Sequence, residues 1–120
     1  MKQLSEIVDD LKDDLLILKA LEKKGDLHEL PHVLEYHFIS EDNTSIQQLR
    51  KLAEGIGLTV ANVDIDSAGP NKNSFSINLI INDKLTKEIC LRNSILMNAL
   101  AELSGCVYDG WGTYVVKYVE

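Results

Sequence analysis

The clearest alternation in the chain lies between Ser74 and Ile81. Phe75, Ile77, Leu79 and Ile81 are apolar, and Ser74, Ser76 and Asn78 separate the first of them. Side chains of a strand point alternately to its two faces, so this pattern demands a strand with one face on a core and the other polar. The residues from His32 to Ser40 repeat the pattern. Leu34, Tyr36 and Phe38 are expected to face the core, and Val33, Glu35, His37 and Ile39 the other side.

Helical periods separate the strands. After Asp42, Asn43, Thr44 and Ser45, all competent N-caps, Ile46, Leu49, Leu52, Ala53 and Ile56 recur on one face before Gly57. Thr44 with Gln47 and Ser45 with Gln48 each make a capping box. Leu58 to Ile65 reads as a strand with Ala61, Val63 and Ile65 on one face, and the turn-rich run 67–73 as the tip of a hairpin leading to Ser74. A last helix covers about Thr86 to Leu103, with Ile89, Leu96, Leu100 and Leu103 at helical spacing, Ile95 and Ala99 beside them, and Ser104-Gly105 to stop it. The final strand is expected to run from Cys106 through Val115 and Val116 to Val119.

The order β-α-β-β-α-β predicts an α+β fold of the ferredoxin-like kind, a four-stranded antiparallel sheet with both helices on one face. Right-handed crossovers select this arrangement over its mirror. That core spans 32–119, and a long amphipathic helix over 3–24 precedes it. In this helix Leu4, Ile7, Val8, Leu11, Leu15 and Leu18 form a stripe, with Asp9, Asp10, Asp13 and Asp14 on much of the opposite side. Leu16, Ile17 and Leu21 widen the stripe, which reads as deep burial, the alternative being a homodimer mate or a partner. The helix is expected against the domain's edge or part of the sheet's second face. Residues 26–31 read as a linker, and the whole 1–120 as a single domain.

Charge narrows the function. The formal net charge is −7 and no basic run occurs, so the phosphate contacts that dominate nucleic-acid affinity have no source. Direct nucleic-acid binding is not expected, and an acidic surface suits a basic protein partner. No apolar run approaches the ~20 residues that cross a bilayer, so no membrane association is expected and the chain reads as cytoplasmic. Cys90 and Cys106 belong to no C-x-x-C pair and read as small buried apolar groups. Asp64-x-Asp66 could hold a divalent cation but reads as a solvated loop. No phosphate loop, Ser-His-Asp set or zinc spacing is apparent, so neither catalysis nor a cofactor or metal is expected.

The run Cys106 to Val116 holds the only tryptophan. Asp109-Gly110 is a turn or bulge pair within β-forming residues, and glycines flank Trp111 on both sides. Two readings stand open: Trp111 closes the end of the core, or the bulge presents it for recognition. Tyr108-Asp109-Gly110-Trp111-Gly112-Thr113-Tyr114 resembles the C-terminal signature of the bacterial regulator of ribonuclease E activity B family, and Glu35-Tyr36-His37-Phe38 resembles that family's Glu-His-His-apolar run. The resemblance implies the same fold and a non-catalytic inhibitor that binds ribonuclease E and modulates RNA decay. An immunity-like or antitoxin-like inhibitor of another nuclease or toxin, and a small ligand-binding domain, are the alternatives. Candidate partner-binding residues are Glu35, His37, Ser76 and Asn78 on the polar sheet face, with Asp109, Trp111 and Tyr114 from the final run.

Overall fold

The computed structural model describes residues 3–64 and 74–117. In chain order lie α1 (Leu4–Lys23), β1 (Pro31–Ser40), α2 (Asn43–Gly55), β2 (Thr59–Asp64), β3 (Phe75–Lys84), α3 (Lys87–Ser104) and β4 (Val107–Gly112). The strands form one antiparallel sheet in the order β2-β3-β1-β4, the ferredoxin-like arrangement. The expected hairpin tip at 67–73, Ile65 and Asp66, and Tyr118 and Val119 at the end of the final run lie outside the described residues.

The two alternating strands occupy the centre of the sheet, as their patterns require. Tyr36 pairs with Leu79 and Phe38 with Ile77. These four and Leu34 are buried against Ile46, Leu49 and Ala53 of α2 and Met97 and Leu100 of α3. Each such Leu, Ile or Phe contributes about 1.5–3 kcal/mol of transfer free energy. In β2 a bulge between Ala61 and Asp64 breaks the expected alternation. Val60 and Val63 both pack on the core, whereas Ala61 pairs with Asn78 on the other face.

The helix starts follow local chemistry. The Asp42 carboxylate accepts the Thr44 N–H at 2.9 Å, so α2 begins ahead of both capping boxes. Thr86 caps α3 by accepting the Ile89 N–H at 3.3 Å, and Gly105 takes the left-handed conformation that ends it.

Two helix faces differ from expectation. In α3 the buried side carries Cys90, Asn93, Ser94, Met97, Asn98 and Leu100, while Ile95 and Leu103 are exposed. This helix lies between α1 and α2, so several sides have neighbours and polar residues go inward with partners. Asn93 donates to the Tyr36 hydroxyl at 3.0 Å, and Asn98 to the Ser94 carbonyl at 2.8 Å. In α1 the buried residues are Leu18 and, one turn earlier, Asp14, which the periodicity had placed on the solvent side. Leu16, 64% exposed, is not deeply buried, and Leu4 and Ile17 are exposed too.

α1 packs beside α3 at the edge of the helical layer, so the domain's edge, not the second sheet face, receives it. That second face carries no helix among the described residues. Past Gly112 the chain leaves the sheet, which shortens the expected final strand. The Thr113 hydroxyl donates to the Val33 carbonyl at 2.8 Å, while Val116 turns to the α1–β1 link. There its N–H and carbonyl find partners that a strand neighbour would otherwise have supplied.

Candidate functional site

The β4 edge is built around a two-for-one mismatch. Tyr36 pairs with Trp111 and Phe38 with Tyr108, so Asp109 and Gly110 together oppose His37. Gly110 has φ +109° with nothing near its Cα to crowd a Cβ; glycine is required there by conformation and not by space. The extra residue turns Tyr108 and Trp111 to the same side, towards the helices. Ring centroids lie 5.3 Å apart for Phe38 and Tyr108, and 6.4 Å for Tyr36 with each of Tyr108 and Trp111, within the range of favourable aromatic pairs.

The Trp111 indole N–H donates to Asp14 Oδ1 at 2.9 Å, which fastens β4 to α1. Asp14 is only 7% exposed, and its Oδ2 has no hydrogen-bond partner among the described residues. Burial raises its pKa above the usual 3.8. The Ser94 hydroxyl, nearby but short of bonding geometry, and the Trp111 indole oppose that rise, while Asp10 and Asp13 reinforce it. Asp10, Asp13 and Asp14 from α1, His37 from β1, and Asp109 and Trp111 from β4 line one groove of about 380 Å³. Four carboxylates around an aromatic ring suit a guanidinium or ammonium group.

The expected site residues fall into three groups. His37, Asp109 and Trp111 meet in the groove. Glu35, Ser76 and Asn78 lie along the open sheet face, where His37 Nδ1 is 2.7 Å from Asn78 Oδ1. Tyr114 stands apart beyond β4, 84% exposed. Trp111 is partly buried and turned towards α1.

Sequence reasoning missed the acidic wall of the groove, although Asp14 sits four positions before Leu18 and thus shares its face. It also missed a second cluster. Asp26 accepts the Val116 N–H at 2.7 Å, and its carboxylate faces His32 Nε2 at 2.8 Å and His28 Nδ1. Burial would raise its carboxyl, but the bonds from Val116, His32 and His28 outweigh this and hold it below the usual range. The visible signal was Asp26-x-His28 in a stretch read as linker, with His32 opening the strand that follows.

The buried phenols and thiol near the groove are held in their protonated forms. Burial raises the phenols of Tyr36 and Tyr108 and pushes the Cys90 thiol up to about 11; a thiol so raised is a poor nucleophile. Both cysteines are buried, as expected. No helix among the described residues is long and apolar enough to cross a membrane.

Comparison with known proteins places this arrangement among its relatives. A family model described as Regulator of ribonuclease activity B matches residues 11–113. A protein of that name from Colwellia psychrerythraea is 28% identical over 101 residues, covering 84% of this chain and 86% of the relative. Another, from Pseudoalteromonas translucida, is 26% identical over 117 residues, covering 95% and 97%. A third, from Pseudoalteromonas atlantica, is 23% identical over 100 residues, covering 83% and 86%.

Proposed function

Because the chain belongs to the regulator of ribonuclease activity B family, we propose that it binds a ribonuclease E-like endonuclease in the cytoplasm and modulates RNA decay without catalysis of its own. The observation that carries this reading is the family match over residues 11–113, which takes in every lining residue of the acidic groove but Asp10. The groove adds a physical reason for a protein target. A cation seated between Asp13 and Asp109 would meet carboxylates on two sides and the Trp111 ring beside them. The open sheet face, with Glu35, His37, Ser76 and Asn78, supplies adjoining polar surface. Such an arrangement favours a basic segment of the endonuclease and repels an RNA backbone.

Calorimetric titration of the purified endonuclease tests the reading. Binding is expected to weaken as salt rises, because the contacts are ionic. Replacing the exposed pair with Asp13→Asn and Asp109→Asn should weaken affinity about tenfold or more while leaving the melting curve in place. No binding by the native chain would sink the partner; native-strength binding by the double variant would move the contact surface elsewhere. A structured RNA should not bind at micromolar concentration even in low salt.

A further inference from the structure

Asp26, His28 and His32 each present one donor atom, and the three atoms lie within 4.8 Å of one another. The ribonuclease reading makes no use of them. Their protons are constrained by geometry. His32 Nδ1 lies 2.6 Å from the Leu30 carbonyl oxygen, which can only accept, so Nδ1 carries a proton. The remaining nitrogen of a neutral ring is then a lone pair, and Nε2 faces Asp26 at 2.8 and 3.0 Å from its two oxygens. A lone pair and a carboxylate repel unless a cation lies between them. The His32 ring has no exposed side-chain surface, so the contact is closed to bulk water.

A metal ion satisfies the same contact with the ring neutral. Ligating histidines are typically oriented by donating their other N–H to a carbonyl or carboxylate, as His32 does to Leu30. His28 turns its Nδ1 to the same carboxylate, and its buried Nε2 has no partner among the described residues. That ring is therefore positioned by what its Nδ1 does. Two imidazoles and a carboxylate are the donor set of a three-ligand zinc site, with metal–ligand distances of about 2.0–2.2 Å. A small parting of the three donors would admit the ion. His28 is 19% exposed in its side chain and lines a groove of about 550 Å³ with Glu22 and Glu29, so a water can complete the coordination from that side.

We propose that Asp26, His28 and His32 form a zinc site that clamps the α1–β1 link to the segment carrying Val116. The site is independent of the ribonuclease partner.

The test uses the full chain, free of any histidine tag and stripped with a chelator. Zinc titrated by calorimetry at neutral pH should bind at one equivalent with micromolar affinity or better, and cobalt should give the visible absorption of a four-coordinate centre. His28→Ala should weaken binding by about 100-fold or more, and His28→Cys, which restores a ligand, should recover most of it. His37→Ala and the pair Glu22→Gln with Glu29→Gln should leave it unchanged. Absence of zinc binding, or full binding by a folded His28→Ala protein, would overturn the proposal. So would loss of binding in the Glu22 and Glu29 variant, which would assign the ion to the groove carboxylates. Should His28→Ala not fold, a His28→Cys protein lacking the thiolate-to-cobalt charge-transfer band would overturn it equally.

Discussion

Asp14 and Asp26 both tie the end of the chain to its beginning, one from within α1 and the other just past it, yet their environments are opposite. Asp26 receives the Val116 N–H and faces two imidazoles, and its carboxyl is held below the ordinary range. Asp14 receives the Trp111 indole on one oxygen while the other has no hydrogen-bond partner among the described residues, and its carboxyl is raised. Both side chains are buried. Burial pushes both the same way, so the number of donors decides the sign. The first tie is built to hold a charge, and the second tolerates one beside an open acidic groove.

Removing either carboxylate tests the contrast. The largest effect is expected at Asp26→Ala, which removes the acceptor of the Val116 N–H and the carboxylate that both imidazoles face. Loss of one partner from a buried charged cluster costs about 3–5 kcal/mol, to be read in denaturant melts with chelator present. A cost below about 1 kcal/mol would show that the cluster is incidental to the fold.

The Trp111 end should respond less. Trp111→Ala is expected to cost about 3 kcal/mol, towards the low end for a large aromatic because the ring is only partly buried. Trp111→Phe keeps an aromatic surface and removes the bond to Asp14, at about 1–2 kcal/mol. Equal costs for the two variants would mean that the hydrogen bond, and not the ring, carries the tie.

The smallest effect carries a change of sign. Asp14 has a folded pKa above 3.8, so its linkage favours the fold at acid pH and that contribution is lost as pH rises through the folded value. Asp14→Asn can still accept from the indole and has no charge to bury. It should therefore gain up to about 1 kcal/mol over the native chain at neutral pH, with the gain fading towards pH 3.8. A native chain stabilised relative to the variant on raising the pH would reverse this reading of Asp14.

The central strands were legible because each has one face on the helices, and alternation encodes that directly. Leu34, Tyr36, Phe38, Ile77 and Leu79 are buried as their pattern requires. α3 was misread for the converse reason. It has neighbours on several sides, so no single stripe describes its burial, and Asn93 and Ser94 go in while Ile95 and Leu103 stay out. The final strand was overextended because Val115 and Val116 have strand propensity, and nothing local reveals that a carboxylate 90 positions earlier takes the Val116 N–H. The bulge pair and its tryptophan were visible as a motif. The acidic wall was not, because Asp14 looks like its solvent-facing neighbours until Trp111 is brought to it.

The separation along the chain between α1 and its anchors also has a consequence in time. Asp14 and Trp111 are 97 positions apart, and Asp26 and Val116 are 90 apart. Synthesis runs from the amino end at about 5–20 residues per second, so α1 emerges several seconds before either anchor exists. The sheet and α2 can begin to assemble in that interval, but the first helix made is among the last to be secured. Until then α1 lacks both of the ties that fasten it to the end of the fold.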